Sequence, residues 1–243
     1  MKKRWLLVPL LLFLLAGLAL WLDPTRILWG LLRGEAFFDG RPTSYWSREL
    51  AKLGQRAGGP WATNYNIDRD GPRWWDSVST GLGLQLYSGP NIEVVRGNDP
   101  KAVPVLCELA KDNNPYVRWC VMRVLPDKAT CTDMEIIVPV LTTALADPDF
   151  DVRMAAADNL SKLEGADVDS AIPVLIEALQ HEQPWMQVKG VEALAALGPR
   201  AKPAVPALVQ LWKDEDHVWS VLDLCGNTLK AIDPGAAAKA GVP

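Results

Sequence analysis

Only two histidines and four cysteines occur in the 243 residues. No two cysteines form a Cys-x-x-Cys pair, so neither a zinc ribbon nor a dithiol redox centre is written in the chain. A glycine-rich phosphate loop of accepted spacing and a nucleophile elbow are also missing, which removes the common nucleotide-binding and acyl-transfer signatures. There is no basic excess. Residues 1–100 hold 12 Lys and Arg against 9 Asp and Glu, whereas residues 101–243 hold 13 against 20, a net −7. Nucleic-acid binding needs a basic face that displaces counterions, so no nucleic-acid partner is expected, and no metal or other cofactor. What the chain has is apolar material, 49% of its residues, enough for a sizeable core.

That material is periodic. A prolyl residue followed by a short apolar run occurs at Pro104, Pro139, Pro173 and Pro206, spacings of 35, 34 and 33. A fixed period of this size means one supersecondary unit copied and stacked, each copy too small to bury its apolar face alone. The prolines fit the first turn of a helix, where the missing N–H would have had no partner anyway. About thirteen residues later a second helix is expected in each copy, with apolar or small residues at relative positions 0, 4, 7 and 8. These are Val117, Val121, Val124 and Leu125; Val152, Ala156 and Leu160; Met186, Gly190, Ala193 and Leu194; and Val221, Cys225 and Leu229, with Asn159 and Thr228 as polar exceptions. Turn and cap residues separate the two helices: Asp112-Asn-Asn-Pro115, Asp147-Pro148-Asp149, His181-Glu-Gln-Pro184 and Asp214-Glu-Asp216.

Asp147-Pro-Asp-Phe-Asp-Val152-Arg153-Met-Ala-Ala156, Ala171-Ile-Pro-Val-Leu-Ile-Glu-Ala-Leu179 and Val191-Glu-Ala-Leu-Ala-Ala-Leu-Gly198 followed by Ala204-Val-Pro-Ala-Leu208 make this part of the chain resemble the HEAT-repeat family. The resemblance covers roughly residues 100 to 243. It implies an all-α fold, a right-handed alpha solenoid of about four helical hairpins plus an N-terminal partial repeat. It also implies ladders between repeats built from a turn Asp and the following Arg. Arg118 and Arg153 match that pattern, while Gln187 and Leu222 do not, so the ladder is expected to fade toward the C-terminus. Ala231-Ile-Asp-Pro-Gly-Ala-Ala-Ala-Lys239 looks like a HEAT terminus that caps the last repeat.

Lys2, Lys3 and Arg4 precede an uncharged run over residues 5–22, 18 residues and just long enough to cross a hydrocarbon core. Trp5 and Trp21 stand at its edges, where indoles favour the interface. The expectation is a transmembrane or signal-anchor helix with a cytoplasmic basic tip and an extracytoplasmic, periplasmic body on an inner membrane. Arg26 and Arg33 on the far side weigh against that orientation. The alternative is a secreted chain after cleavage near Gly17-Leu-Ala19. Residues 35–50 resemble the entry motif of membrane-anchored HEAT proteins, with Thr43 or Ser44 capping a helix whose Tyr45, Trp46, Leu50 and Leu53 pack on the first repeat. Residues 54–73 read as a long Gly/Pro-rich insertion beside which Trp61, Tyr65, Trp74 and Trp75 are a dense aromatic set. The organisation is then 1–34 anchor, 35–100 partial repeat with insertion, and 101–243 solenoid.

His181 and His217 fall in neighbouring turns beside acidic residues, an arrangement open to a surface metal but more usual for polar turn residues. Cys107 and Cys120 flank one turn at similar distances, so an antiparallel pair could close a disulfide; Cys131 is a rival partner, and small reduced core residues the other reading. The second helices of stacked HEAT pairs line the concave side, and relative positions 2 and 6 should point outward from the core. Those are Trp119, Arg123, Met154, Asp158, Val188, Glu192, Asp223 and Asn227, a mixed strip suited to a protein partner. A second candidate is the turn ridge of Tyr116, Phe150, Trp185 and Trp219, whose rings can instead fold over the helix ends. No catalytic residues are identified. The function expected is a non-enzymatic scaffold for a partner protein. The alternatives are a bilin-lyase-like enzyme, by fold analogy alone, or glycan binding through the aromatic insertion.

Overall fold

A computed structural model of the chain describes residues 14–15, 17–18, 25–57, 94, 99–125, 134–163, 168–214 and 219–243. The chain divides into two compact units, residues 1–120 and 121–243, the boundary falling inside one helix. Among the described residues no helix is long and apolar enough to cross a membrane. The run at 5–22 lies largely outside the described residues; Leu14, Leu15 and Leu18, which are described, are helical and exposed. The insertion expected at 54–73 starts later than its composition suggests, since residues 54–57 continue a helix; residues 58–73 lie outside the described residues.

In the first unit, helix α1 (Ile27–Arg33) leads into strands β1 (Phe37–Phe38) and β2 (Arg41–Pro42), then helix α2 (Thr43–Ala57) and helix α3 (Val103–Leu109). The antiparallel strand pair departs from the expected all-α composition. Its cause is local: Asp39 and Gly40 both have positive φ, 50° and 67°, the demand of a two-residue type I′ turn that Asp-Gly meets. Trp46, fully buried on α2, donates its indole N–H to the carbonyls of Phe38 (3.3 Å) and Arg41 (3.2 Å), which fixes the hairpin to the helix. Gly30 of α1 is required by close approach, since a Cβ there would lie 2.3 Å from Pro42 Cβ. Helix α2 packs on α3, with Leu50 buried beside Trp46 on the same helix. The acceptor at the start of α2 is not Thr43 or Ser44 but Glu35, whose carboxylate takes the Ser44 amide at 2.8 Å. Glu108 of α3 accepts from the Ala36 amide (2.9 Å) and from the Thr43 hydroxyl, a second tie between the entry segment and α3.

Helix α4 (Pro115–Val124) crosses the boundary between the units. The second unit then runs α5 (Met134–Ala144), α6 (Phe150–Leu160), α7 (Ile172–Leu179), α8 (Pro184–Leu197), α9 (Val205–Trp212), α10 (Trp219–Ile232) and α11 (Pro234–Ala240). Sequential helices pair as α5/α6, α7/α8 and α9/α10, and the hairpins stack: α6 on α8, α8 on α10, and α7 on α9. Two layers of helix result, with α11 packed on α9 and α10 at the end. The core lies between the layers. Val152, Ala156, Leu160, Met186, Ala193, Leu194, Val221, Cys225 and Leu229 are all buried, as the 0, 4, 7, 8 pattern requires. Fully burying a Leu or Val side chain contributes about 1.5–3 kcal/mol, so each hairpin depends on its neighbours for this term. Gly190 lets α8 approach α7 closely; a Cβ there would stand 3.0 Å from Ala178 Cβ and 3.2 Å from the Leu175 carbonyl.

Pro104, Pro173 and Pro206 sit in the first turn of α3, α7 and α9, each preceded by a short 3-10 turn. Pro139 does not: α5 begins at Met134, so this proline is inside the helix. The lead-in of that copy, Met134 to Val138, is itself α-helical where the others are 3-10, and Pro139 denies the Glu135 carbonyl its helical donor. Cys107, Cys120 and Cys225 stand as thiols.

Candidate protein-binding face

The outward face of the second helices is held in place by their turns. In α4 the Arg118 guanidinium reaches back to the carbonyls of Asp112 (2.8 Å) and Asn113 (3.2 Å). In α6 Arg153 does the same to Asp147 (2.9 Å) and Pro148 (3.3 Å), and its other nitrogen pairs with Glu177 of the next repeat at 2.6 Å. In α8 Gln187 donates to the His181 carbonyl at 2.9 Å. The substitution at Gln187 therefore removes the charge of the ladder but keeps the hydrogen bond to the turn. The turn acceptors are equally regular. Asp112 takes the Asn114 amide (2.8 Å), Asp147 the Asp149 amide (2.9 Å), and His181, through Nδ1, the Gln183 amide (3.1 Å). His181 thus does what Asp does in the earlier copies. Its ring also stacks on Phe150 at 5.0 Å, and the Arg153 guanidinium lies over the Phe150 ring at 5.1 Å.

This arrangement assigns the turn aromatics a packing role. Phe150 is half-buried between Arg153 and His181, and Tyr116 is half-buried against Trp119 at 5.5 Å. Trp185 is half-buried as well, while the Trp219 side chain and His217 lie outside the described residues. Among the described residues no group of three His, Cys, Asp or Glu side chains is placed to hold a metal.

The eight residues expected to point outward divide by position. At relative position 6, Arg123, Glu192 and Asn227 are exposed and Asp158 is partly so. At position 2 the expectation is corrected for two: Trp119 and Met154 are buried, Val188 is half-buried, and only Asp223 is exposed. The reason is the width of the buried sector. Position 5 of each second helix, Met122, Ala157, Val191 and Gly226, is buried in every copy and lies about 60° from position 2 around the helix. The small or apolar residue recurring there is a sequence signal that the buried sector widens toward position 2; Trp119 and Met154 fall within it, while Val188 and Asp223, beside the same signal, are not fully enclosed. The exposed strip is consequently polar rather than mixed. Asp158 pairs with Lys162 at 2.9 Å and Glu192 with Lys189 at 2.7 Å, and Asp223, Asn227 and Lys230 follow on α10. Trp61, Tyr65, Trp74 and Trp75 lie outside the described residues.

One buried group on this layer has a displaced titration. Burial pushes the Cys225 thiol up to about 12, and its Sγ lies 3.2 Å from the Leu208 carbonyl, to which it donates. Cys225 is a packing residue with a protonated, unreactive sulfur.

A family model described as HEAT repeats matches residues 138–223, from within α5 to the start of α10. No curated protein matches the chain.

Proposed function

Residues 138–223 are HEAT repeats, and from that premise we propose that the chain is a non-enzymatic scaffold that docks a partner protein on the exposed strip of its second helices. HEAT repeats generally mediate protein–protein interaction. The observation that carries the reading is the strip itself: Asp158, Glu192, Asp223 and Asn227 lie on the stacked helices α6, α8 and α10 and are exposed or partly so, and Arg123, exposed at the equivalent place on α4, continues the pattern. A polar, charge-bearing strip of this kind sets partner choice and association rate more than raw affinity. In the same proposal, residues 5–22 anchor the chain in an inner membrane with the repeats on the extracytoplasmic side, supported by the apolar run and the basic tip at Lys2, Lys3 and Arg4.

The test is proximity labelling in the native membrane with the wild-type chain and with a Glu192→Lys/Asp223→Lys pair. Both residues are exposed, so the fold is expected to survive, as circular dichroism would check. Specific neighbours should disappear from the labelled set of the variant. An unchanged set would remove the strip as the docking face.

A further inference from the structure

Helix α1 presents two unlike sides. One rests on the hairpin through Gly30, which is buried against Pro42, with Ile27 half-buried beside it. The other carries Leu28, Trp29, Leu31 and Leu32, which are 44%, 39%, 65% and 70% exposed and share one side of the helix by spacing. Four large apolar side chains on seven helical residues are costly to leave in water. A helix of this length is about 10 Å long against a hydrocarbon core of about 30 Å, so it does not span a bilayer by itself.

The surroundings of α1 carry the chemistry that bears on that side. Residue 22, the end of the uncharged run, lies five positions before Ile27, and Leu14, Leu15 and Leu18 within the run are exposed where described. Arginines bracket α1: Arg26 precedes it and Arg33 ends it. The Arg33 guanidinium sits 5.1 Å over the Trp29 ring and 4.0 Å from Glu35, yet the side chain remains 61% exposed. An indole and a guanidinium beside leucines are the chemistry of the interfacial region, where rings sit at headgroup level and cations meet lipid phosphates.

We propose that α1 lies flat on an anionic phospholipid bilayer, with Leu28, Trp29, Leu31 and Leu32 inserted at the acyl boundary and Arg33 at the phosphates. Because α1 is seated on the hairpin, and Arg26 donates to the Ser44 carbonyl at 3.5 Å, this contact sets the attitude of the entry segment, residues 25–57, against the membrane. The inference rests on the anchor reading only in that residues 5–22 bring α1 to the surface.

The test uses the full chain carrying photoreactive benzoylphenylalanine in place of Leu31, of Leu32 or, as control, of Glu192. The chain is reconstituted in vesicles of phosphatidylglycerol and phosphatidylethanolamine, irradiated and analysed by mass spectrometry. Phospholipid adducts are expected at positions 31 and 32 and none at 192. Adducts to a second copy, adducts within the same chain, lipid adducts at all three positions, or no adduct would each overturn the proposal. Washing the vesicles in alkaline carbonate reads the anchor separately. A chain that stays in the membrane without adducts at 31 and 32 defeats the α1 proposal alone; a chain extracted by the wash after forming those adducts defeats the anchor alone.

Discussion

Gln187 and Arg153 occupy the same place in successive copies and make the same hydrogen bond to the turn carbonyl six residues back, at 2.9 Å in each case. The neutral amide therefore suffices for the turn, and the charge of Arg153 serves a separate contact with Glu177, which is half-exposed. Exposed ion pairs contribute little, so Arg153→Gln should cost less than about 1 kcal/mol. Arg153→Met, which also removes the turn donor, should cost about 1 kcal/mol more. Urea unfolding midpoints of the two variants check this, and equal losses would deny the turn bond any role. Cys225 makes a pH-dependent contribution at the same scale. Burial raises its thiol from the ordinary value of 9.0 to about 12, so the folded state holds its proton over that interval. The associated stability is fully present below pH 9.0 and is lost as pH rises toward about 12, because the unfolded chain gains by ionising first. Urea midpoints should fall more steeply between those pH values for the wild-type chain than for Cys225→Ala; parallel curves would refute it.

Among elements, α5 is the exception that the repeat spacing concealed. Pro139 keeps the register of Pro104, Pro173 and Pro206, and nothing in the spacing says that its helix starts five residues earlier. The consequence is a sign difference. Pro139→Ala restores a helical donor to the Glu135 carbonyl and should stabilise the fold by about 1–2 kcal/mol, the interior-proline penalty less the entropy that proline withholds from the unfolded chain. Pro173→Ala, at the first turn of α7, gains no bond and should destabilise by about 0.5 kcal/mol. Thermal unfolding of both variants decides it. The entry hairpin is another element with a local signal: Asp39-Gly40 between aromatic and basic residues is a short-range turn pattern, set within a segment that otherwise reads as a helix entry.

For the molecule, the period and the 0, 4, 7, 8 pattern made the paired, stacked helices of residues 121–243 legible, because those positions face the shared interior whatever the neighbouring copy carries. The candidate face was legible at position 6 and not at position 2. Position 6 looks away from both layers, whereas the exposure of position 2 depends on how far the buried sector extends. That is set by packing against other helices, which no single helix encodes. The corrected strip changes what its test should show. With Trp119 and Met154 inside, docking depends on Glu192, Asp223 and their polar neighbours, so capture of the partner should weaken as salt rises.

Asn159, the polar exception among the core positions of α6, spends its amide on the Met122 carbonyl at 2.8 Å and the Ala155 carbonyl at 3.0 Å. Met122 lies in the final turn of α4, where backbone oxygens lack helical donors of their own. The earlier helix is therefore finished by a side chain belonging to the copy that follows it. During synthesis this makes acquisition of order vectorial: the end of α4 gains its last bond only once α6 has been made and has docked.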